Sequence, residues 1–393
     1  MRHVTGILIS SVVVLAATVA QARETFAITY LMRDGDPHYA ERRAYTGLEL
    51  RQAYRPIDGA RVAMRESRIL GRRLGLQLEL AERTLDGDED AVEAIKTELE
   101  AGGSGVVILD LPRDEMVAVA KALSEREVLL LNVRHPDVAL RSLCSPVLFH
   151  TLPSRAMTSD ALAQYLRGKG WLQVLVLQGS EEADAEMVAA FGQAAVKLGL
   201  EIVAERSFVL GNDPRQRDQT NVPLLTGEPD HDVVFIADTV GEFGRYVPFA
   251  TYRPRPVVGT EGLVPSGWHW TWERHGAPQL NQRFDRLAER DMEETDWAAW
   301  AAVKSVVEAI VRTGTTAVEA IRAHLTSDAF NLDTYKGNPG SFRPWSHQLR
   351  QPILLHTHNA VIERAPMPKF LHATNVLDTL GLDAPETECE WAN

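Results

Sequence analysis

The segment from Gly105 to Val133, GVVILDLPRDEMVAVAKALSEREVLLLNV, contains two short aliphatic runs separated by a stretch with helical periodicity. Nearly continuous aliphatic runs of this length are typical of strands that are buried on both faces of a parallel sheet. A helix is expected between them, from Arg113 to Glu125. The segment therefore predicts a strand–helix–strand crossover unit.

The same alternation recurs on both sides of this segment. Further strand-like runs are FAITYLM, LQLELAERTL, LQVLVLQGS, EIVAERSFVL, DVVFIAD and PVVGTEG. They form two successive sets, one before and one after residue 150. Two sets predict an α/β protein with two doubly wound parallel-sheet lobes joined by a multi-strand hinge, rather than one very wide sheet.

The later part of the chain is predicted to be mainly helical between Pro278 and Ser327, with Gly314 ending one helix. The stretch SFRPWSHQLRQPILLHTHNAVIERAP after it is interpreted as late strands that pair in a hairpin against the second lobe, with turns at Gly340 and Pro344. We assign the first lobe to residues 23–152 and 262–335. The second lobe and the C-terminal tail are assigned to residues 153–261 and 336–393.

The N-terminus has the three parts of a secretory signal peptide. Arg2 supplies a basic start, an apolar run follows from Ile7 to Val19, and small residues stand at Ala20 and Ala22. The run is too short for a membrane anchor, which needs about 20 apolar residues. We therefore predict a signal peptide over residues 1–22, cleaved after Ala22, and an exported protein.

Charge and cysteine content restrict the partners and the compartment. The formal net charge of −13 disfavours nucleic acid as a partner. Cys144 and Cys389 are the two cysteines of the sequence. In an oxidising compartment one disulfide is the simplest pairing, and two free thiols are the alternative.

The sequence contains no recognisable catalytic or metal-binding motif. AGGSGVV lacks the spacing of a nucleophile elbow, and neither a phosphate-binding loop nor a dinucleotide fingerprint occurs. His356 and His358 have no third ligand at a suitable spacing. In DGDED, Ala91 replaces the glycine of a calcium loop, so acidic residues at a helix N-terminus explain the run better. We predict no enzyme activity, no metal and no required cofactor.

Arginines follow three predicted strands, at Arg33, Arg134 and Arg155. In open α/β sheets the carboxyl ends of the strands face the crevice in which ligands bind, so these cations are well placed to hold a carboxylate. Trp268, Trp270 and Trp272 alternate nearby in sequence, although a single tryptophan is more often part of a core.

Five stretches carry a family resemblance: HTLPSRAM, DTVGEFGRYVPF, RPRPVVGTEGLVPSGWH, SFRPWSHQLRQPILL and LDTLGLDAPETEC. With them the chain resembles a type I periplasmic solute-binding protein of the branched-chain amino acid binding group. More narrowly, it is similar to the subgroup associated with pyrroloquinoline quinone-dependent alcohol dehydrogenase systems. The resemblance implies a periplasmic protein that serves the membrane permease and ATPase of an ABC-type importer, with pyrroloquinoline quinone as a candidate ligand and an alcohol dehydrogenase system as a candidate partner.

One departure from the family bears on the ligand. Amino acid binders of this group place small hydroxyl side chains after the first-lobe strands, whereas this chain has ILDLPRDE and LNVRHPD there. A larger anionic ligand is therefore favoured over a leucine-like one. The residues predicted to contact it are Arg33, Arg134 and Arg155 for carboxylates, Asn132 and Thr260 as polar contacts, and Trp268 or Trp270 as a stacking face.

Other assignments stay open from sequence. Asp238 and Glu242 are expected to order an edge of the second lobe or to accept from ligand donors, and Arg343 and Trp345 are candidate contacts at the rim of the hinge. Another organic acid or an amino acid is an alternative ligand. A periplasmic sensor or adaptor for a signalling partner is an alternative function.

Overall fold

The computed structural model describes residues 24–44, 47, 49–50, 52–211 and 213–389, so the predicted signal peptide and its cleavage site lie outside the described residues. The first lobe is built on five parallel strands in the order β2-β1-β3-β4-β5. They are β1 Glu24–Arg33, β2 Leu76–Leu85, β3 Val106–Asp110, β4 Leu129–Asn132 and β5 Leu148–His150. All residues of β3 and β4 are buried, as their uninterrupted aliphatic sequences predict.

Helices cover both faces of this sheet. They are α1 Ile57–Arg73, α2 Ala91–Glu100, α3 Arg113–Ala122 and the short α4 Val138–Arg141. The side chain of Asp90 caps α2 by accepting from the backbone N–H groups of Val92 and Glu93. This cap is the role predicted for the acidic run before α2.

The second lobe repeats the arrangement with four parallel strands in the order β7-β6-β8-β9. The strands are β6 Gln173–Gln178, β7 Glu201–Ser207, β8 Val233–Ala237 and β9 Val257–Gly259. The helices are α5 Arg155–Lys169, α6 Glu182–Leu198, α7 Arg217–Thr220, α8 Val222–Leu225 and α9 Val247–Ala250. The predicted α/β fold with two parallel-sheet lobes is therefore confirmed.

After β10, Val264–Ser266, the chain returns to the first lobe and forms three helices: α10 Ala277–Ala288, α11 Glu294–Thr313 and α12 Val318–Leu325. Gly314 ends α11 in the left-handed conformation with φ of 68°, as predicted. Helix α1 packs so closely on α11 at Gly59 that no side chain fits there. A Cβ at this position would lie 1.9 Å from the carbonyl oxygen of Asp296. Within the described ranges, every helix is too short or too polar to cross a membrane.

Five short antiparallel strands complete the hinge region: β11 Leu332–Asp333, β12 Pro339–Phe342, β13 Leu349–Arg350, β14 Ile353–Thr357 and β15 Ala360–Ala365. The predicted hairpin forms between β12 and β13, with Pro344 in its turn. One detail of that prediction is wrong, because Gly340 lies inside β12 rather than in a turn, where a Cβ would come within 2.9 Å of Thr334. The predicted segment packs on both lobes. Phe342 and Leu349 belong to the first-lobe core, whereas Ile353, Leu355 and Ala365 of the following hairpin β14–β15 belong to the second-lobe core.

The C-terminal segment is shared between the two cores. Leu354 packs in the first-lobe cluster, whereas its neighbours Ile353 and Leu355 pack in the second-lobe cluster. Alternate residues of β14 thus point into different lobes, as strand geometry dictates. The lobe boundaries assigned from sequence stay predictions, and β14 itself joins the two lobes.

The predicted disulfide between Cys144 and Cys389 is present and connects residues 245 positions apart. We expect the double variant Cys144→Ser/Cys389→Ser to lose about 2 to 5 kcal/mol of unfolding free energy, because the cross-link restricts the unfolded chain. Urea unfolding of the variant, and of the parent chain with and without a reductant, measures the loss. An unchanged unfolding midpoint on reduction would contradict the prediction.

Candidate functional site

The carboxyl ends of the two sheets face each other across a cleft. Asp110 ends β3 and Asn132 ends β4 in the first lobe, while Asp238 and Thr260 follow β8 and β9 in the second. The edges are within side-chain reach, because Arg113 of the first lobe donates to Glu186 of the second over 2.8 Å. This crevice is the place where open α/β sheets bind ligands.

A buried carboxylate, Asp110, organises the first-lobe side of the cleft. Tyr30 and Tyr39 donate their hydroxyls to it over 3.1 and 2.6 Å, and Arg55 donates over 2.9 Å. A fourth donor, Arg134, lies 3.4 Å away. Four donors around one carboxylate hold these side chains in fixed positions at the end of β3.

Arg134 also forms an ion pair with Asp36, with 2.5 Å between Nη1 and Oδ2. Burial alone would raise the pKa of Asp36, but hydrogen bonds from Arg134 and from the backbone N–H of His38 hold it below its ordinary value. The guanidinium carbons of Arg134 and Arg55 lie 5.1 and 4.3 Å from the centre of the Tyr39 ring. Tyr39 is thus an aromatic surface held by cations at the cleft edge.

A second group of charges bridges the lobes. Asp137 of the first lobe shares a hydrogen bond between carboxyl groups with Glu186 of α6. Burial and this neighbouring carboxyl raise the pKa of Glu186. Arg113 lies 3.5 Å from Asp137, and Arg155 lies 3.4 Å from Glu186. Two guanidiniums and two carboxyl groups therefore meet where the lobes approach each other.

Arg155 is the least committed of these cations. Its Nε lies 3.4 Å from Glu186, yet within the described part of the chain neither terminal nitrogen of its guanidinium donates a hydrogen bond. It stands at the first position of α5, whose N-terminus carries a partial positive charge. The donors that an incoming anion needs are present at this point.

Two of the residues predicted to contact a ligand form hydrogen bonds within the first lobe. Arg33 forms an ion pair with Glu115 and donates to the carbonyls of Gly87 and Glu89. Asn132 is fully buried and stabilises the turn after β4. Its Oδ1 accepts hydrogen bonds from the backbone N–H groups of Arg134 and His135. Their positions after strands were predicted, but their hydrogen bonds are used by the fold.

The predicted polar residues of the second lobe order its edge. Thr260 accepts from the backbone N–H of Asp238 and donates to the carbonyl of Ile236. Asp238 is buried and accepts from the backbone N–H groups of Gly241 and Gly244. Glu242 is buried beside this turn. These contacts agree with the structural role foreseen for Asp238.

The predicted stacking faces are not at the cleft edge described above. Trp268 is 2% exposed and stacks on Trp297 in the first-lobe core. Trp270 is 41% exposed and lies against His269, with its carbonyl accepting from Asn281. The ring of Trp268 is therefore covered, because the segment after β10 packs on α11. Arg343 is likewise buried, in an ion pair with Asp378 beneath the C-terminal tail.

Sequence reasoning missed most of the residues that the cleft brings together. Asp110 could have been found, because a carboxylate directly after four buried aliphatics has to be satisfied at the sheet edge. Tyr39 and Arg55 lie in a connection without periodicity, and nothing in the sequence indicates their contact with Asp110. The unpredicted residues at the cleft are Asp36, Tyr39, Arg55, Asp110, Arg113, Asp137 and Glu186.

Solved structures share this architecture at low sequence identity. A branched-chain amino acid ABC transporter periplasmic ligand-binding protein from Burkholderia xenovorans aligns with a TM-score of 0.70 and 11% identity, covering 94% of this chain and 100% of that chain. An ABC transporter substrate-binding protein from Desulfitobacterium hafniense in complex with Leu aligns with a TM-score of 0.65 and 16% identity, covering 87% and 100%. A solute-binding protein from R. palustris in complex with benzoate gives 0.63 and 14%, covering 93% and 99%.

These likenesses establish the fold of type I periplasmic binding proteins for this chain. No family model and no curated protein matches the sequence.

Proposed function

We propose that the chain is the exported binding component of an ABC-type importer and that it holds a small organic anion between its lobes. The observation that carries the proposal is the interlobe position of Arg155, whose guanidinium pairs with Glu186 but donates no hydrogen bond from its terminal nitrogens to the described residues. Binding at this point would link α5 to the first lobe. A ligand that touches both lobes favours the state in which they are close.

The ligand class follows from the side chains at the cleft. Arg113, Arg134 and Arg155 can each donate to a carboxylate, and Tyr39 offers a ring at the same edge. When an anion binds, its acidic groups either replace the protein carboxylates in the ion pairs Arg134–Asp36 and Arg113–Glu186 or join these pairs. A ligand with several carboxylates on a planar ring fits this set better than a simple amino acid, since it can replace more than one protein carboxylate.

Pyrroloquinoline quinone is our first candidate for the ligand, on the strength of the sequence resemblance together with this cation set. In this proposal a membrane permease and an ATPase receive the ligand, and a periplasmic alcohol dehydrogenase system uses it. The benzoate complex of the R. palustris protein supports an aromatic acid in this fold. No catalytic role is proposed for the cleft residues.

The variant Arg155→Gln should weaken binding of pyrroloquinoline quinone at least tenfold, which corresponds to about 1.4 kcal/mol and is within the range for one charge-assisted hydrogen bond. Calorimetric titration of the purified chain, with leucine and benzoate as comparison ligands, measures the effect. Arg312→Gln is the matched control, because Arg312 is exposed and pairs locally with Glu308.

Three results decide the proposal. Saturable binding of the quinone that is weakened by Arg155→Gln and unchanged by Arg312→Gln supports both the ligand and the cleft. Binding of benzoate alone, with the same response to Arg155→Gln, would support the cleft as the binding site and would exclude the quinone as its ligand. Saturation with leucine and no heat with either aromatic acid would contradict the anion site.

A further inference from the structure

A second cavity lies on the hinge rather than in the cleft. Its volume is about 630 Å³, which is within the range of small-molecule sites. The arginines and carboxylates of the cleft do not line it. The lining side chains used in the argument are Trp272, Arg274, His275, Ile362, Arg364 and Leu371. We call this cavity the hinge groove.

The hinge groove lies between the segment after β10 and strand β15. Trp272 is part of the first-lobe core, and its indole N–H is fixed by donating to the carbonyl of Tyr335 over 3.0 Å. On β15 the lining residue Val361 packs against the first-lobe core, whereas Ala365, which follows the lining residue Arg364, packs in the second-lobe core. The groove therefore lies beside a strand that both cores share.

Two cations line the hinge groove without a carboxylate partner. Within the described residues, neither Arg274 nor Arg364 has an Asp or Glu oxygen within the 4.0 Å of an ion pair. Arg364 is anchored by its Nη1, which donates to the carbonyl of Lys336 over 2.9 Å and to the side chain of Asn338. Burial lowers the pKa of Arg364; Glu363 opposes this, and the nearby Arg274 lowers it further.

Apolar side chains accompany these cations. Ile362 and Leu371 line the same groove and are 48% and 49% exposed. Large aliphatic side chains exposed in a groove gain free energy when a ligand covers them, at about 25 cal/mol per Å² of apolar area. Glu273 and Glu363 also line the groove, but within the described residues neither lies at ion-pair distance from Arg274 or Arg364. The groove therefore combines two guanidiniums that form no ion pair with an apolar surface and an indole wall.

We propose that the hinge groove is a second binding site, which takes an amphipathic organic anion with one acidic group and an apolar or aromatic body. The acidic group lies between Arg274 and Arg364, and the body lies against Trp272 and Ile362. Two guanidiniums held near each other at the surface of an acidic protein attract an anion of this kind.

The test uses 8-anilinonaphthalene-1-sulfonate, an aromatic sulfonate whose fluorescence rises in apolar surroundings, and the uncharged N-phenyl-1-naphthylamine. We expect saturable binding of the sulfonate, at least fivefold weaker in Arg274→Gln and in Arg364→Gln, and no comparable binding of the uncharged probe. Arg274 is exposed, so its variant should fold. Arg215→Gln/Arg217→Gln is the control, because both arginines are exposed on the second lobe.

Equal affinity in the parent chain and in both groove variants would overturn the proposal. Loss of binding in Arg155→Gln, with Arg274→Gln unaffected, would assign the probe to the cleft and overturn it as well.

Discussion

Replacing Lys336 with methionine should lower the free energy of unfolding by about 2 to 6 kcal/mol, because two buried acceptors lose their donor at a cost of about 1 to 3 kcal/mol each. Lys336 is fully buried, and its Nζ donates to the carbonyl of Gly267 over 2.7 Å and to the side chain of Gln351 over 2.6 Å. Methionine keeps the length and the apolar stem of the side chain, so the variant removes mainly these two hydrogen bonds.

The reason for the large effect is the place of Lys336 in the hinge. Gln351 extends this hydrogen-bond network, since its Nε2 donates to the carbonyl of Thr151 over 2.7 Å. Gly267 is held from its other side, because its N–H donates to the buried Glu294 over 2.8 Å. Thr151, Gly267 and Gln351 lie on the three crossings between the lobes. One amine therefore connects all three.

Burial also affects the titration of this amine. It holds the pKa of Lys336 well below its ordinary value, against the opposing effect of Glu294. Both hydrogen-bond acceptors of the amine, the carbonyl of Gly267 and the side chain of Gln351, are uncharged oxygens. The Trp297 ring, whose centre is 3.6 Å from Nζ, covers another side.

Urea unfolding of Lys336→Met alongside Lys304→Met measures the difference. Lys304 is the matched control because it also lies near an indole, Trp300, and is partly exposed at 3.8 Å from Glu66. Its loss should change stability by less than about 1 kcal/mol. Similar losses in the two variants would show that Lys336 does not hold the crossings together.

The contrast between Lys336 and the strands around it explains what sequence can predict. The strands β3 and β4 follow from continuous aliphatic runs, because burial on both faces is a local property of the pattern. The position of Arg134 at a strand end followed in the same way. The ion pair between Arg134 and Asp36 joins residues 98 positions apart, and no local pattern encodes such a pairing.

The tryptophans show the other limit. Trp268 and Trp270 were both candidates for a stacking face, because the alternation in GWHWTWERH does not say which side faces the core. Trp268 packs on Trp297 of α11, so the position of α11 determines which tryptophan is buried. Lys336 could not have been identified either, since a lysine next to glycine and asparagine is typical of an exposed turn.

Stability should fall steeply as the pH decreases from 7.5 to 5, because the buried His150 and His347 and the partly buried His135 favour the neutral form in the fold. Burial lowers the pKa of His135 to about 4, although a hydrogen bond with the carbonyl of Leu111 opposes the shift. Burial lowers the pKa of His347 to about 3. It also holds the pKa of His150 well below its ordinary value, and Arg141 and His347 add to the effect.

The sign follows from proton linkage. Each histidine has a folded pKa below its unfolded value of about 6.5, so the unfolded chain binds protons that the fold excludes. The stabilisation is complete above about pH 6.5 and is lost as the pH falls toward the folded values. With a slope of about 1.4 kcal/mol per pH unit for each proton, three histidines give about 4 kcal/mol per unit near pH 5.

Urea unfolding at pH 7.5, 6 and 5 measures this slope. One variant, His347→Phe, measures the part of the slope that comes from a single histidine. His347→Phe keeps a ring stacked on Phe149, at a centroid distance of 4.1 Å in the parent chain, and removes one titrating group. The slope near pH 5 should then decrease by about a third. His358→Gln is the control, because His358 is exposed and its replacement should leave the slope as it is. An unfolding free energy that is equal at pH 7.5 and pH 5 would mean that these histidines accept protons inside the fold, which would require local opening of the packing around β5.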